Sequence, residues 1–235
     1  FLSRDYPSKY LVEFSSSGST GQPLKYFGTK NSHSFNYAST IRGWSWMGYK
    51  LGDRFVKLSQ NPRPPVKKIQ DFILRCQYLY SNNLIPSEFD KILDSIIKYN
   101  PKFIRGYPDP LFFLAEFYEK SSKSKIYPIG ISTTGNILSK ESRSKIESAF
   151  SSKISDSYGN EIGACLFQCS ESESYHFSME QVISEILVND RYAQTGETGK
   201  LIISDLTNYA MPFIRYDTQD LVTKNIEIFR FDEAA

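Results

Sequence analysis

Short apolar segments alternate along the chain with longer segments in which apolar residues recur at helical spacing. Strands are expected at Tyr10–Phe14, Phe55–Leu58, Leu74–Tyr80, Phe103–Tyr107, Ile126–Thr133, Lys153–Tyr158, Cys165–Cys169, Val182–Val188, Gly199–Ile203 and Ile214–Tyr216. Helices are expected at Phe35–Gly48, from Pro86 to before Pro101, at Leu111–Tyr118 and at Ser139–Phe150. Ser87 and Ser139 are the expected N-caps of two of these helices.

This alternation predicts an α/β fold with mixed, mostly parallel sheets flanked by helices. In such sheets, ligands bind where loops leave the carboxyl ends of the strands. Three loops follow predicted strands, at Ser15–Pro23, Thr133–Asn136 and Tyr158–Glu161. We expect them to converge on one crevice.

The first of these loops reads SSSGSTGQP and is rich in small polar residues. Glycine permits unusual backbone angles and close approach of a ligand, and backbone N–H groups in such a turn attract anions. A phosphate-binding loop is one reading of the stretch, and a solvated flexible linker is the other. The spacing of Gly18 and Gly21 does not match a Walker loop.

Composition narrows the function classes without choosing one. The 235 residues carry 28 Lys and Arg against 26 Asp and Glu, a net charge of +2, which gives no reason to expect a nucleic-acid partner. No apolar run is long enough to insert into a membrane. Three cysteines favour a reducing compartment. Cys165, Cys169 and His176 leave a zinc site open beside the alternative of buried structural cysteines.

Three separated stretches together suggest a family. They are SSSGSTGQP, SDSYGNEIGA (Ser155–Ala164) and TGETGKLIISDLTNYAMPFIRYDTQDL (Thr195–Leu221). In this order the chain resembles the adenylate-forming superfamily, AMP-dependent synthetases and ligases, and within it the phenylacetate-CoA ligase and CapK-type capsular polysaccharide biosynthesis branch. The stretch NYAMPFIRY followed by DTQDL is the most specific part, and RGYP at Arg105–Pro108 also fits.

The resemblance implies ATP, Mg²⁺ and a carboxylic acid as ligands, with CoA as the co-substrate. The phosphates would be held by Ser17, Gly18, Ser19, Thr20 and Gly21. Gly135 and Asn136 would flank the adenine, Tyr158 would stack on it, and Gly159 would let it approach. Glu161 would hold Mg²⁺ and act in catalysis with Thr20. Asp220 would accept hydrogen bonds from the ribose hydroxyls as a buried carboxylate.

Alternatives remain at two of these positions, and the sequence departs from the branch at two. Tyr158 would otherwise simply pack between strands, and Asp220 would otherwise be a surface turn residue. Only Asn160 separates Gly159 from Glu161, where most members have two residues. Gln219 stands where the branch has glycine, so a positive φ there would strain the backbone.

The expected organisation is a ligase core at residues 1–221 and a strand-like tail or truncated end at 222–235, without the C-terminal lid domain. The expected function is activation of an acid to acyl-AMP, followed by acyl transfer to CoA or a similar acceptor, in the cytoplasm. The alternative is a catalytically impaired nucleotide-binding or scaffold module of the same fold. The acid, the acceptor and a homodimer stay open.

Overall fold

The computed structural model describes residues 2–15, 24–80, 85–159, 163, 165–169 and 171–225. The helices are a 3-10 turn at Ser8–Tyr10, α1 (Lys30–Ser45), α2 (Lys67–Ile73), α3 (Pro86–Tyr99), α4 (Pro108–Lys120) and α5 (Lys140–Phe150). The strands are β1 (Leu11–Ser15), β2 (Lys25–Thr29), β3 (Phe55–Ser59), β4 (Cys76–Tyr80), β5 (Phe103–Gly106), β6 (Gly130–Thr134), β7 (Ile154–Gly159), β8 (Cys165–Gln168), β9 (Tyr175–Phe177), β10 (Val182–Val188), β11 (Arg191–Tyr192), β12 (Thr198–Asp205) and β13 (Tyr216–Thr223).

The chain divides into two compact units. The first unit comprises Phe1–Ser39, Gly159–Leu166 and His176–Ala235, and the second comprises Thr40–Tyr158 and Phe167–Tyr175. In the first unit, β1 pairs antiparallel with β2, and β10 to β13 form a four-stranded antiparallel sheet in the order β11-β10-β12-β13.

The second unit is built on a sheet of the order β4-β3-β5-β6-β7-β8-β9, in which the pairs among β3 to β7 are parallel. Alternate residues of its strands face opposite sides. Val56, Leu58 and Ile104 pack into the larger core with α3, α4 and α5. Phe55 and Phe103 face the other way, where they pack with Trp44 of α1 and with Tyr49. The expected mixed α/β fold with much parallel pairing is confirmed.

Local signals account for several helix ends. Ser139 caps α5 as expected, since its hydroxyl accepts a hydrogen bond from the Ser142 backbone N–H. The apolar stripe of α3 is confirmed, with Ile92, Leu93 and Ile96 buried. The expected cap at Ser87 is wrong: Ile85 occupies the N-cap position and Pro86 opens the helix, because proline suits a first turn that needs no N–H donor.

Candidate functional site

Two of the three loops expected at a crevice leave neighbouring parallel strands of the second unit. Thr134 on β6 is the register partner of Ser157 on β7. Gly135 and Tyr158 each follow those partners by one residue, so the two positions lie beside each other at the carboxyl edge of the sheet. The structure therefore brings Gly135, Asn136 and Tyr158 together, as the order of the elements predicted.

The need for glycine at position 135 has a cause within the protein. Its φ is +90°, and a Cβ atom there would lie 2.5 Å from Cε1 of Tyr107. A larger residue would be strained and would also clash with that ring. The next residue, Asn136, is exposed and donates a side-chain hydrogen bond to Asp109 Oδ2 at 3.1 Å. The adenine contacts of both residues remain predictions.

Tyr158 is half-buried near the end of β7, and Gly159, the last residue of that strand, is exposed. The ring stands on a strand whose preceding residues, 154–157, are all buried. An aromatic side chain that is partly exposed at a strand end has the right chemistry for stacking on a base. Stacking of the adenine on this ring remains a prediction.

Sequence reasoning missed the carboxylate that holds this end of β7. Asp156 is 4% exposed, and its Oδ1 accepts a hydrogen bond from Thr133 Oγ1 at 2.5 Å. Its Oδ2 accepts a hydrogen bond from the Tyr175 hydroxyl. Burial, reinforced by the charge of Asp156, raises the pKa of Tyr175 well above its usual range, which keeps this donor protonated. The sequence carried one signal for this role: Asp156 is an acidic residue within a segment expected to be a strand of the sheet.

Further hydrogen bonds fasten the same strand to its neighbours. The Ser157 hydroxyl donates to the Thr133 carbonyl at 2.8 Å, and the Asp156 backbone N–H donates to Gln168 Oε1 at 3.1 Å. The Arg143 guanidinium donates to the same Gln168 oxygen and to the Ile154 carbonyl. Buried polar groups that are satisfied in this way rigidify a structure. Tyr158 therefore lies on a strand that hydrogen bonds hold rigidly to its neighbours.

Asp220 lies in the first unit, on an irregular part of β13. Ile202 pairs with Asp217 and Lys200 pairs with Leu221, so three residues of β13 stand opposite one residue of β12. This bulge is anchored by Thr218, whose hydroxyl donates to the Leu201 carbonyl at 2.9 Å. Bulges of this kind re-aim side chains and are frequent beside functional sites.

The bulge confirms one expectation and corrects another. Gln219 has a φ of +65°, the left-handed backbone that glycine would adopt without strain. The Gln219 N–H is fixed by Asp217 Oδ1 at 2.8 Å. The expectation of a buried carboxylate at Asp220 is wrong, because the residue is exposed on this bulge.

Several predicted site residues lie outside the described residues. They are Ser17, Gly18, Ser19, Thr20, Gly21 and Glu161. The phosphate loop, the Mg²⁺ ligand and the catalytic pair therefore remain predictions. Ser15 and Lys25, the described strand ends on either side of the loop, are register partners in an antiparallel pair.

The zinc question concerns Cys165, Cys169 and His176. Cys169 is buried and is not in a disulfide, and the side chain of Cys165 lies outside what the structure describes. In the described part of the chain, no group of three His, Cys, Asp or Glu residues is placed to hold a metal ion. None of the described helices has the length and apolar character needed to cross a membrane.

The described positions fit a nucleotide in their chemistry. They offer a half-buried aromatic ring, exposed glycine and amide groups at one strand edge and, on its own unit, an exposed carboxylate. These groups suit stacking on a base and hydrogen bonding to hydroxyl groups.

Solved structures of acyl-CoA ligases share this fold. A 2-hydroxyisobutyryl-CoA ligase in complex with 2-HIB-AMP and CoA aligns with a TM-score of 0.72 at 15% identity, over 94% of this chain and 50% of that one. O-succinylbenzoate CoA synthetase (MenE) from Bacillus subtilis, in complex with ATP and a magnesium ion, aligns with a TM-score of 0.63 at 17% identity, over 95% of this chain and 49% of that one. ATP-bound MatB from Rhodopseudomonas palustris aligns with a TM-score of 0.66 at 12% identity, over 96% of this chain and 48% of that one.

These similarities establish the fold, which is that of an adenylate-forming ligase core. The chain spans about half the length of the ligases that it matches. No protein-family model matches the sequence, and no curated protein matches it.

Proposed function

We propose that this chain is the ATP- and acid-binding core of an AMP-forming acid–CoA ligase. The observation that carries the proposal is the shared fold, which extends over 94% of the chain in the comparison with a ligase that holds an acyl-AMP and CoA. The sequence motifs add independent support, because three of them occur in the order expected for such enzymes.

In the proposed reaction, a carboxylate oxygen of the acid attacks the α-phosphorus of ATP. The bond from that phosphorus to the bridging oxygen breaks, so that acyl-AMP and pyrophosphate form. The CoA thiol, after losing its proton, then attacks the acyl carbon and displaces AMP. Catalysis of this kind depends chiefly on positioning and on offsetting the charge that develops on phosphate oxygens.

The proposed roles are those that the resemblance implies, and the positions of the described residues are compatible with them. Tyr158 stacks on the adenine, and its neighbours at the strand edge, Gly135, Asn136 and Gly159, border the base. Asp220 accepts hydrogen bonds from the ribose hydroxyls, for which its exposed position on a bulge is suitable. Charge-assisted bonds to two hydroxyls would contribute about 1.5–3 kcal/mol. Ser17–Gly21 hold the phosphates and Glu161 holds Mg²⁺.

The proposal includes the phenylacetate-CoA ligase and CapK-type branch, on the strength of the NYAMPFIRY and DTQDL segments. Capsule or surface polysaccharide biosynthesis is the setting that this branch suggests. ATP and CoA place the reaction in the cytoplasm.

One observation favours a second candidate, a nucleotide-binding module with impaired catalysis. Gln219 adopts a left-handed conformation next to Asp220, where the branch has glycine. Such strain costs about 1–3 kcal/mol and makes the bulge less secure.

Acid-dependent exchange of labelled pyrophosphate into ATP separates the two candidates. The chain would be incubated with MgATP and a panel of aliphatic, aromatic and dicarboxylic acids, with MgATP binding measured on the same sample. Exchange with at least one acid is expected, and an Asp220→Ala variant should reduce it at least tenfold. Intact MgATP binding without exchange for any acid would favour the binding module.

A further inference from the structure

A row of polar side chains crosses the sheet of the second unit on one face. Lys57, at the centre of β3, is the register partner of Tyr78 on β4 and of Arg105 on β5. Arg105 in turn is the register partner of Ser132 on β6. Register partners point to the same side of a sheet, so two cationic side chains stand next to each other here.

Aromatic rings border this row. The Arg105 guanidinium carbon lies 5.4 Å from the centre of the Trp44 ring, and Lys57 Nζ lies 5.7 Å from the centre of the Tyr78 ring. The indole N–H of Trp44 also donates a hydrogen bond to Ser132 Oγ at 3.2 Å. Rings of this type stabilise cations, but they do not neutralise charge.

Asp71, a carboxylate whose charge acts on Lys57, is already engaged by another residue. Asp71 accepts two hydrogen bonds from the Arg63 guanidinium, one of them from Nε to Oδ2 at 2.7 Å. Arg63 also lies over the Tyr78 ring, at 4.8 Å from its centre. Within residues 24–80 and 85–159, no carboxylate forms a salt bridge with Lys57. The charge of Asp71 acts on Lys57 from a distance, but the hydrogen bonds of Asp71 go to Arg63.

The surroundings of Lys57 disfavour its charged form. Burial, followed by the charges of Arg105 and Arg63, lowers the pKa of Lys57 to about 8. Strands that are covered on both faces usually carry Val, Ile and Leu, so a lysine in the third position of β3 is unfavourable for folding alone. Lys57 is half-buried, and ionisable groups with a strongly perturbed environment are more frequent at functional sites than elsewhere.

We propose that Lys57, with Arg105 beside it, binds an anionic oxygen group of a small molecule, either a carboxylate or a phosphate. The inference rests on the proposed function, which supplies two sources of such a group. One is a second acidic group on the acid substrate, which would make that substrate a dicarboxylate. The other is a phosphate of CoA.

The test compares ligands that differ in charge at one end. Calorimetric titrations of the chain would use succinate against butyrate, and CoA against pantetheine, each with the wild type and with Lys57→Met. Methionine keeps the length and apolar stem of the side chain and removes its charge. Lys98→Met, at an exposed position of α3, is the matched control. Circular dichroism would establish that each variant is folded.

The wild type should bind one anionic ligand at least tenfold more tightly than its matched partner. Lys57→Met should abolish that preference, and Lys98→Met should retain it. A loss confined to succinate assigns the site to a dicarboxylic acid, and a loss confined to CoA assigns it to a phosphate. Absence of any preference in the wild type, or its persistence in Lys57→Met, would overturn the inference.

A measurement on the wild type alone keeps the inference testable if Lys57→Met does not fold. Resonances of the Lys57 side chain should shift on addition of the preferred ligand, and unchanged resonances at saturation would contradict the inference. MgATP binding measured on the same samples separates the two levels of argument. Failure of the anion site with intact MgATP binding rejects only the role of Lys57, whereas failure of MgATP binding rejects the proposed function.

Discussion

Two aspartates near the predicted nucleotide contacts are held in opposite ways. Asp156, in the second unit, is buried on β7 and accepts hydrogen bonds from Thr133 and Tyr175. Asp220, in the first unit, is exposed on a bulge of β13 next to a residue with positive φ. The Asp156 carboxylate stabilises the fold through its hydrogen bonds, whereas the Asp220 residue is exposed at the surface.

The comparison shows why a carboxylate cannot be assigned a role from residue type alone. A buried carboxylate must have its hydrogen bonds satisfied by protein, which leaves it little capacity for a ligand. An exposed carboxylate loses little solvation on folding, so its removal should cost less stability. We therefore expect substitutions of these aspartates to separate stability from nucleotide binding.

The largest expected effect is the loss of stability in Asp156→Ala. The substitution leaves the hydroxyls of Thr133 and Tyr175 without their acceptor in a buried site, and it should lower the free energy of unfolding by about 3 kcal/mol. Urea denaturation would measure this. Asp156→Asn keeps an acceptor and should lose less. A loss below about 1 kcal/mol for the alanine variant would mean that the network does not stabilise β7.

A second charged residue of the same unit, the half-buried Lys57, sharpens the comparison because no described carboxylate forms a salt bridge with it. Its pKa is lowered to about 8 in the folded state, so the unfolded chain binds more protons at this position between pH 8 and 10.5. Stability therefore rises with pH across that window, by about 2–3 kcal/mol for this group.

The measurement is the free energy of unfolding of wild type and Lys57→Met from pH 7 to 10.5. Subtracting the variant is necessary because Cys76, with its pKa raised to about 12, shifts stability in the opposite direction above pH 9. Arg63, Arg105, Asp71 and Tyr78 also face Lys57 and are common to both proteins. If the free energy of unfolding changed with pH equally in the two proteins, the lowered pKa of Lys57 would be contradicted.

A smaller effect is expected at the bulge of Asp220. Gln219→Gly removes the cost of a left-handed conformation and should raise the free energy of unfolding by about 1 kcal/mol. Gln219→Ala retains the strain and should give no gain. Thermal unfolding of the three proteins would check this order. Equal stability of the glycine and alanine variants would show that the strain is relieved elsewhere.

The features that sequence predicted well depend on local contacts. The cap at Ser139, the apolar stripe of α3 and the strained backbone at Gln219 each follow from residues within a few positions. Helix α2 was missed because its pattern is inverted: Asp71 is buried, whereas Phe72 is 86% exposed. Apolar periodicity alone cannot reveal a helix that turns its apolar residues to solvent.

The candidate site was predictable only in part. Gly135, Asn136 and Tyr158 could be grouped because parallel strands bring their carboxyl ends to one edge. The partners of Asp156 could not be identified, since Thr133 and Tyr175 lie 23 and 19 residues away in the chain. The row of Tyr78, Lys57 and Arg105 depends on strand register, which the sequence does not specify by itself.

The most direct test of the account is calorimetric titration of the chain with MgATP, using wild type, Asp220→Ala and the control Asp90→Ala. The control removes an equal charge from an exposed position of α3. We expect saturable binding by the wild type and the control, and a 10- to 100-fold weaker affinity for Asp220→Ala at nearly unchanged stability. Absence of MgATP binding by the folded wild type, or equal affinity of all three proteins, would contradict the account.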